Sequence, residues 1–393
     1  MASLALAGAT AQNGTDIDGD GYYRVYNKTT GRYIYVTDNK DYYDITHDRE
    51  DFQAIQLWKD ANKTISDPAS VIYIKKVGSK YDLQAQGTGI YDLTKDKEGV
   101  GYYVTITKVT TGAYAGTFQV SASKAGVTKY LSDDRSNSNP QGKLGTTNTG
   151  TYRLWVVEKI ETDHATNYFG ITPTIELNGK YYQPFCASFP FKTASPDMHV
   201  YYVSKVAGSE AYLKEITGEV PGGTPVIIEC ATANPSTNRL ELLSTNPAQL
   251  TDNKLTGVYF CNGERPQESV DAYTVFDAST MRLFTVSDGK LVLSNDVSDR
   301  TKEIEAVDWK TEDYYYPLCL YANTSYFKAE AGTPDVLNIR MEGSGIDEIL
   351  AEKKNDSAEG VYTVSGTQLR ATNDVQGLPA GLYIVGGVKV VIK

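Results

Sequence analysis

Asp16, Asp18 and Asp20, with Gly21 directly after them, have the residue types and spacing that open a calcium loop. A loop of the EF-hand kind takes oxygen ligands at positions 1, 3 and 5, glycine at 6 and a bidentate glutamate at 12. Counted from Asp16, the first four conditions hold, but position 12 is Asn27 and no helical pattern flanks the run. The three aspartates are an incomplete metal candidate, and a solvated acidic leader is the plainer reading. None of the four cysteines stands in a C-x-x-C pair, so no zinc site is expected, and nothing else in the chain asks for a cofactor.

A second set of groups suits hydroxyl-rich ligands. The run "TDNKDYYDITHD" from Thr37 gathers Asp38, Asn39, Tyr42 and Tyr43, and "SDDRSNSNPQGK" from Ser132 supplies Asp133, Asp134 and Asn137. Carboxylates and amides accept or donate hydrogen bonds to sugar hydroxyls, while tyrosine rings cover a sugar's apolar face. These seven residues are the candidate carbohydrate-binding set; ordinary wet loops would have a similar composition.

Catalysis has less to stand on. His47, His164 and His199 are the only histidines, and Cys186 could work with His164 or His199, but no motif surrounds any of them. The sequence holds no G-x-S-x-G, no H-E-x-x-H and no phosphate-binding loop. Its 49 acidic residues could still provide a carboxylate pair for glycoside hydrolysis. A protein without enzymatic activity is expected, with a glycan-degrading hydrolase as an alternative.

The elements that carry these residues are strands. Thirty tyrosines and 34 glycines beside only four methionines favour β-structure, and 393 residues allow two or three domains. A net charge of −11 argues against nucleic acid and anionic membranes, which call for a basic face. "MASLALAGATAQ" contains an A-x-A pattern at Ala9–Ala11, so residues 1–11 read as the remnant of a secretory signal. No apolar run of about 18 residues occurs, so no helical membrane span is expected. In an exported protein Cys186, Cys230, Cys261 and Cys319 could form two bridges; their apolar neighbours favour buried thiols.

Three segments near the front repeat: "YRVYNKTTGRYIYV" from Tyr23, "YIKKVGSKYDLQA" from Tyr73 and "FQVSASKAGVTKYLSD" from Phe118. Each reads as a strand, a turn with Gly31, Gly78 or Gly126, and a second strand opened by Tyr33, Tyr81 or Tyr130, spaced 48 and 49. Trp58, Ile106 and Trp155 keep the same spacing of 48 and 49 and read as core markers. Units this short must share one core. They resemble a β-trefoil, and Gln56-x-Trp58 resembles the Q-x-W signature of ricin-B-type lectin repeats. The resemblance implies a sugar-binding aspartate two residues after each strand-opening tyrosine, but Tyr35, Leu83 and Ser132 stand there. The amide before Q-x-W is likewise replaced, by Ile55 and Tyr152. The family's usual pocket is therefore absent, and any sugar site must use other loop residues.

After "EKIETDHATNY" the repeats stop. Short alternating runs with Gly, Pro, Asn and Asp between them predict a β-sandwich or barrel-like domain. Tyr181–Phe191, Val200–Val203, Leu213–Ile228 and Ala322–Phe327 resemble the ordered elements of a β-domain found in secreted proteins of gut Gram-negative anaerobes. The end, with "GVYTVSG", "LPAGLYIV", Gly386-Gly387 and "VKVVIK", is similar to sorting-tail modules of those bacteria, and Asp356-Ser357-Ala358 resembles their O-glycosylation acceptor. The expected organisation is all-β: a trefoil over 12–163, a sandwich-like domain over 164–345, a linker over 346–359 and a C-terminal module over 360–393. A secreted or cell-surface protein that binds glycan through the trefoil loops is the leading expectation. A structural or adhesive protein gripping a protein partner is the other non-catalytic one, and it requires an exposed aromatic patch.

Overall fold

The computed structural model describes residues 17, 19–36, 55–58, 61–86, 91–92, 103–124, 127–133, 144–145, 150–258, 274–297, 299–303, 306–308, 311, 313–342, 360–364, 366–386 and 388–392. The fold is all-β: among these residues the one α-helix is the short Ala61–Ser66, with 3-10 turns at Pro68–Ser70 and Thr151–Arg153. The chain forms two compact units, Met1–Ile339 and Arg340–Lys393.

The first unit begins with a strand, Gly21–Asn27, whose side chains alternate between its two faces. Tyr23 and Val25 enter one core, while Tyr22 belongs to another on the opposite face. Along one edge this strand pairs with Trp155–Lys159, so the first strand meets the last of the repeats. Along the other it pairs with Ile72–Val77, which returns as Lys80–Ala85. Tyr81 and Val104 then exchange backbone hydrogen bonds of 2.8 and 2.9 Å. Thr105–Lys108 pairs with Phe118–Lys124, and Phe118 faces Trp155, so the pairing returns on itself. Hairpins stand at all three repeated segments. Gly31 and Gly78 turn the first two with φ of 69° and 62°, where a side chain would be strained.

Trp155 is fully buried, and its indole N–H donates to the Leu131 carbonyl at 2.9 Å. It packs in one cluster with Tyr23, Val25, Ile72, Ile74 and Phe118. Chain spacing and strand register part company at the middle marker. Tyr33 stands opposite Trp58, but Tyr81 stands opposite Val104. Ile106 lies opposite Val120 and is only partly buried against the same core, while Val104 is fully buried. The side chain of Trp58 lies outside the described set.

Beyond the ring, ten strands form one sheet from Ile175–Leu177 at one edge to Leu255–Val258 at the other. Both faces are covered, which explains the unbroken apolar run of Val226, Ile227 and Ile228. Val226, Ile228 and Cys230 join Phe185, Phe189 and Val200 on one side, and Ile227 joins Tyr182, Val203 and Phe284 on the other. The first of these clusters also holds Tyr22, Val71 and Tyr73 from the ring, so ring and sheet share a core. Hydrogen bonds fasten the same junction: Asn323 Nδ2 donates to Gln86 Oε1 at 3.0 Å and Ser188 Oγ to the Gln86 carbonyl at 2.8 Å. Cys186, Cys230 and Cys319 are buried thiols outside any disulfide, and Cys261 lies outside the described residues.

The second unit carries a four-stranded antiparallel sheet in the order Gln368–Arg370, Val361–Thr363, Gly381–Val385, Val388–Ile392. Val385 pairs with Val388, leaving a two-residue turn in which Gly386 has φ of 55°. Residues 343–359, with the expected linker and Asp356-Ser357-Ala358, lie outside the described set. Among the described residues no helix is long and apolar enough to cross a membrane.

Candidate functional site

Of the seven residues expected to bind sugar, the structure describes one. Asp38, Asn39, Tyr42, Tyr43, Asp134 and Asn137 lie outside the described residues. Asp133 is 1% exposed. Its carboxylate accepts from Arg32 Nε at 2.9 Å and from Thr30 Oγ1 at 2.5 Å, and it also pairs with Arg32 Nη2. A two-pronged guanidinium contact of this kind fixes geometry strongly. Asp133 thus ties the first hairpin turn to the third repeat, and it is closed off from solvent. Of the aspartates considered for metal, Asp16 and Asp18 lie outside the described set, and exposed Asp20 accepts the Lys76 backbone N–H at 2.8 Å. Among the described residues no three His, Cys, Asp or Glu side chains gather to hold a metal.

The candidate nucleophile is also enclosed. Cys186 has no exposed surface, and a β-carbon on Gly257 would strike its sulfur. His199 Nδ1 lies 2.7 Å from Glu215 Oε1, and His164 Nδ1 accepts the backbone N–H groups of Thr166 and Asn167. Burial pushes the Cys230 thiol up to about 12, far from a reactive thiolate.

The outward face of Gly21–Asn27 changes character along its length. Tyr22 is sealed against Tyr73 and Phe189, with ring centroids at 4.9 and 6.0 Å. Arg24 is buried, and among the described residues no carboxylate bonds to it. Its guanidinium donates to the carbonyls of Thr64 and Tyr168 at 2.8 and 2.9 Å and to Asn167 Oδ1 at 2.7 Å. Burial lowers its pKa to about 10, so it remains a cation at neutral pH. Tyr26 ends the series half-buried. Its ring contacts that of Tyr33, 5.0 Å between centroids, and its hydroxyl donates to Glu158 Oε1 at 3.3 Å.

Glu158 sits opposite Arg24 in the register between first and last strands. It makes no ion pair among the described residues, because Arg24 spends its donors on carbonyls. Burial raises its carboxyl above the ordinary range; Tyr26, His164, Arg24 and Lys28 offset that only in part. Burial likewise raises the phenols of Tyr26 and Tyr33, with the Glu158 charge adding to it. The result is a half-buried carboxylate beside two touching rings, with cations around it that do not neutralise it.

A different tyrosine group lies in the large sheet domain. Thr301–Glu303 pairs with Leu318–Leu320, and Ala306–Asp308 with Asp313–Tyr315, two short antiparallel ladders together termed the ribbon. Its base is anchored by buried Cys319 and Leu320 among Val258, Leu283 and Val297. Farther out, Tyr314, Tyr315 and Tyr316 are 61, 42 and 53% exposed, and Leu318 and Tyr321 are exposed too.

Neither group was picked out from sequence. Glu158, in "LWVVEKI", reads as an ordinary outward strand residue. The ribbon did leave a sign: three consecutive tyrosines before Pro317 cannot all face a core in an alternating strand. The chain matches no protein-family model and no curated protein.

Proposed function

We propose that this chain is a non-catalytic carbohydrate-binding protein of the cell exterior, and that sugar is held at Tyr26, Tyr33 and Glu158. The carrying observation is a half-buried carboxylate with no ion pair among the described residues, placed against two contacting aromatic rings. An ionised carboxylate accepts hydroxyl hydrogen bonds worth about 1.5–3 kcal/mol each, and phenol rings cover the C–H face of a pyranose. A neutral glycan fits better than an ammonium ligand, because Arg24 and Lys28 already place positive charge near Glu158.

In this reading the N-terminal ring is kin to the ricin-B-type trefoil. Three hairpins about one core and the pairing of first with last strand favour that kinship. The binding place has moved, however, from the family's loop to the outer face of the ring. The A-x-A pattern at Ala9–Ala11 supports export, and the enclosed Cys186 speaks against a thiol nucleophile.

A glycan array with the full chain tests the reading, followed by calorimetric titration of the best ligand into wild type, Glu158→Gln and Tyr33→Ala. Neutral glycans are expected to bind, with each substitution weakening affinity about tenfold or more. Silence toward neutral glycans, or full affinity in Glu158→Gln, would contradict it.

A further inference from the structure

The ribbon exposes what water alone does not favour. Tyr314, Tyr315, Tyr316, Leu318 and Tyr321 are all more than two-fifths exposed, and tyrosine is among the residues concentrated at interface hot spots. We propose that the ribbon from Asp313 to Tyr321 docks a cationic segment of a protein partner, one that alternates basic with apolar side chains.

Charge decides the occupant. Glu303 and Asp313 are exposed and have no ion pair among the described residues. A basic group from a partner complements such acidic side chains. Tyrosine rings attract the same cations through their faces. The ribbon already contains such a contact: Lys302 Nζ lies 5.9 Å from the centre of the Tyr321 ring. A second copy of this chain is a poor occupant, since each carries a net charge of −11. A neutral sugar would leave Leu318 without a match.

Backbone geometry adds a docking mode. Among the described residues Asp313–Tyr315 pairs only with Ala306–Asp308, so its other edge can receive an added strand. A strand alternating basic and apolar residues sends each kind to one face, matching acidic groups and rings. This site is separate from Tyr26, Tyr33 and Glu158 and stands whether or not sugar binds there.

The test uses the full-length protein and a fluorescein-labelled decapeptide alternating arginine with valine, read by anisotropy. Companion peptides carry glutamine or glutamate in place of arginine. The arginine peptide is expected to bind at least about tenfold tighter than the glutamine peptide. Raising salt from about 0.05 to about 0.5 M should weaken it. The triple variant Tyr314→Ser, Tyr315→Ser, Tyr316→Ser should lose binding with its melting temperature retained, and glycan binding should be untouched. Should that variant fold poorly, Asp313→Lys provides the second reading: the arginine peptide weakens and the glutamate peptide gains. Equal binding of the glutamine peptide, undiminished binding by the variants, or self-association that the tyrosine variant abolishes would each overturn the proposal.

Discussion

Tyrosine is used in two opposed ways in this molecule. In Gly21–Asn27, Tyr23 fills the ring core, Tyr22 seals the junction with the sheet domain, and only Tyr26 keeps an open side. In the ribbon, Tyr314, Tyr315 and Tyr316 follow one another and none is buried. The first strand has a core on one face and a neighbouring domain over much of the other. Among the described residues, Tyr314, Tyr315 and Tyr316 have neither. Burial of a tyrosine is thus decided by what covers its strand, and its exposed remainder marks where a ligand can be met.

That contrast can be broken at several points. The largest effect is expected in the ring: Trp155→Ala should cost about 3–5 kcal/mol, measured by denaturant unfolding, because it empties the centre of a packed core. Asp133→Ala should cost a similar 3–5 kcal/mol or so by stranding buried Arg32. A loss under about 1 kcal/mol would mean that Asp133 is open to solvent and free for ligand after all. Gly222→Ala should destabilise by about 1–3 kcal/mol, since the new β-carbon would run into the Ser188 backbone carbonyl.

Glu158 gives a pH signature. Its folded pKa is raised, so the native state holds the proton more tightly than the unfolded chain. Stability then falls as pH rises from the ordinary carboxyl range through the raised value, and Glu158→Gln should flatten that fall. Sugar affinity should show the reverse, declining as the carboxylate is protonated on acidification; a flat affinity profile would remove the carboxylate from the site. The smallest effect belongs to the ribbon, where Tyr314→Ser should change stability by no more than about 0.5 kcal/mol.

Much of the fold was legible in the sequence, and the reasons are local. Alternation in Gly21–Asn27 and turn glycines Gly31 and Gly78 depend on neighbours in the chain, so the hairpins could be read directly. Ile106 packs against the ring core as its spacing suggests, but spacing counts residues along the chain, whereas pairing follows register, which sets Val104 opposite Tyr81. Asp133 looked available because its partner, Arg32, lies a hundred residues away in a different repeat. Glu158 was invisible for a related reason. What makes it unusual is that Arg24, across the strand pair, is committed to the carbonyls of Thr64 and Tyr168. No local pattern records that commitment.

The most direct test is a crystal structure of the protein soaked with the tightest neutral glycan from the array. A pyranose ring lying against Tyr26 and Tyr33, with two of its hydroxyls on the Glu158 carboxylate, is the predicted result. Sugar bound anywhere else on the chain, or a Glu158 that stays free of ligand at saturating glycan, would contradict it.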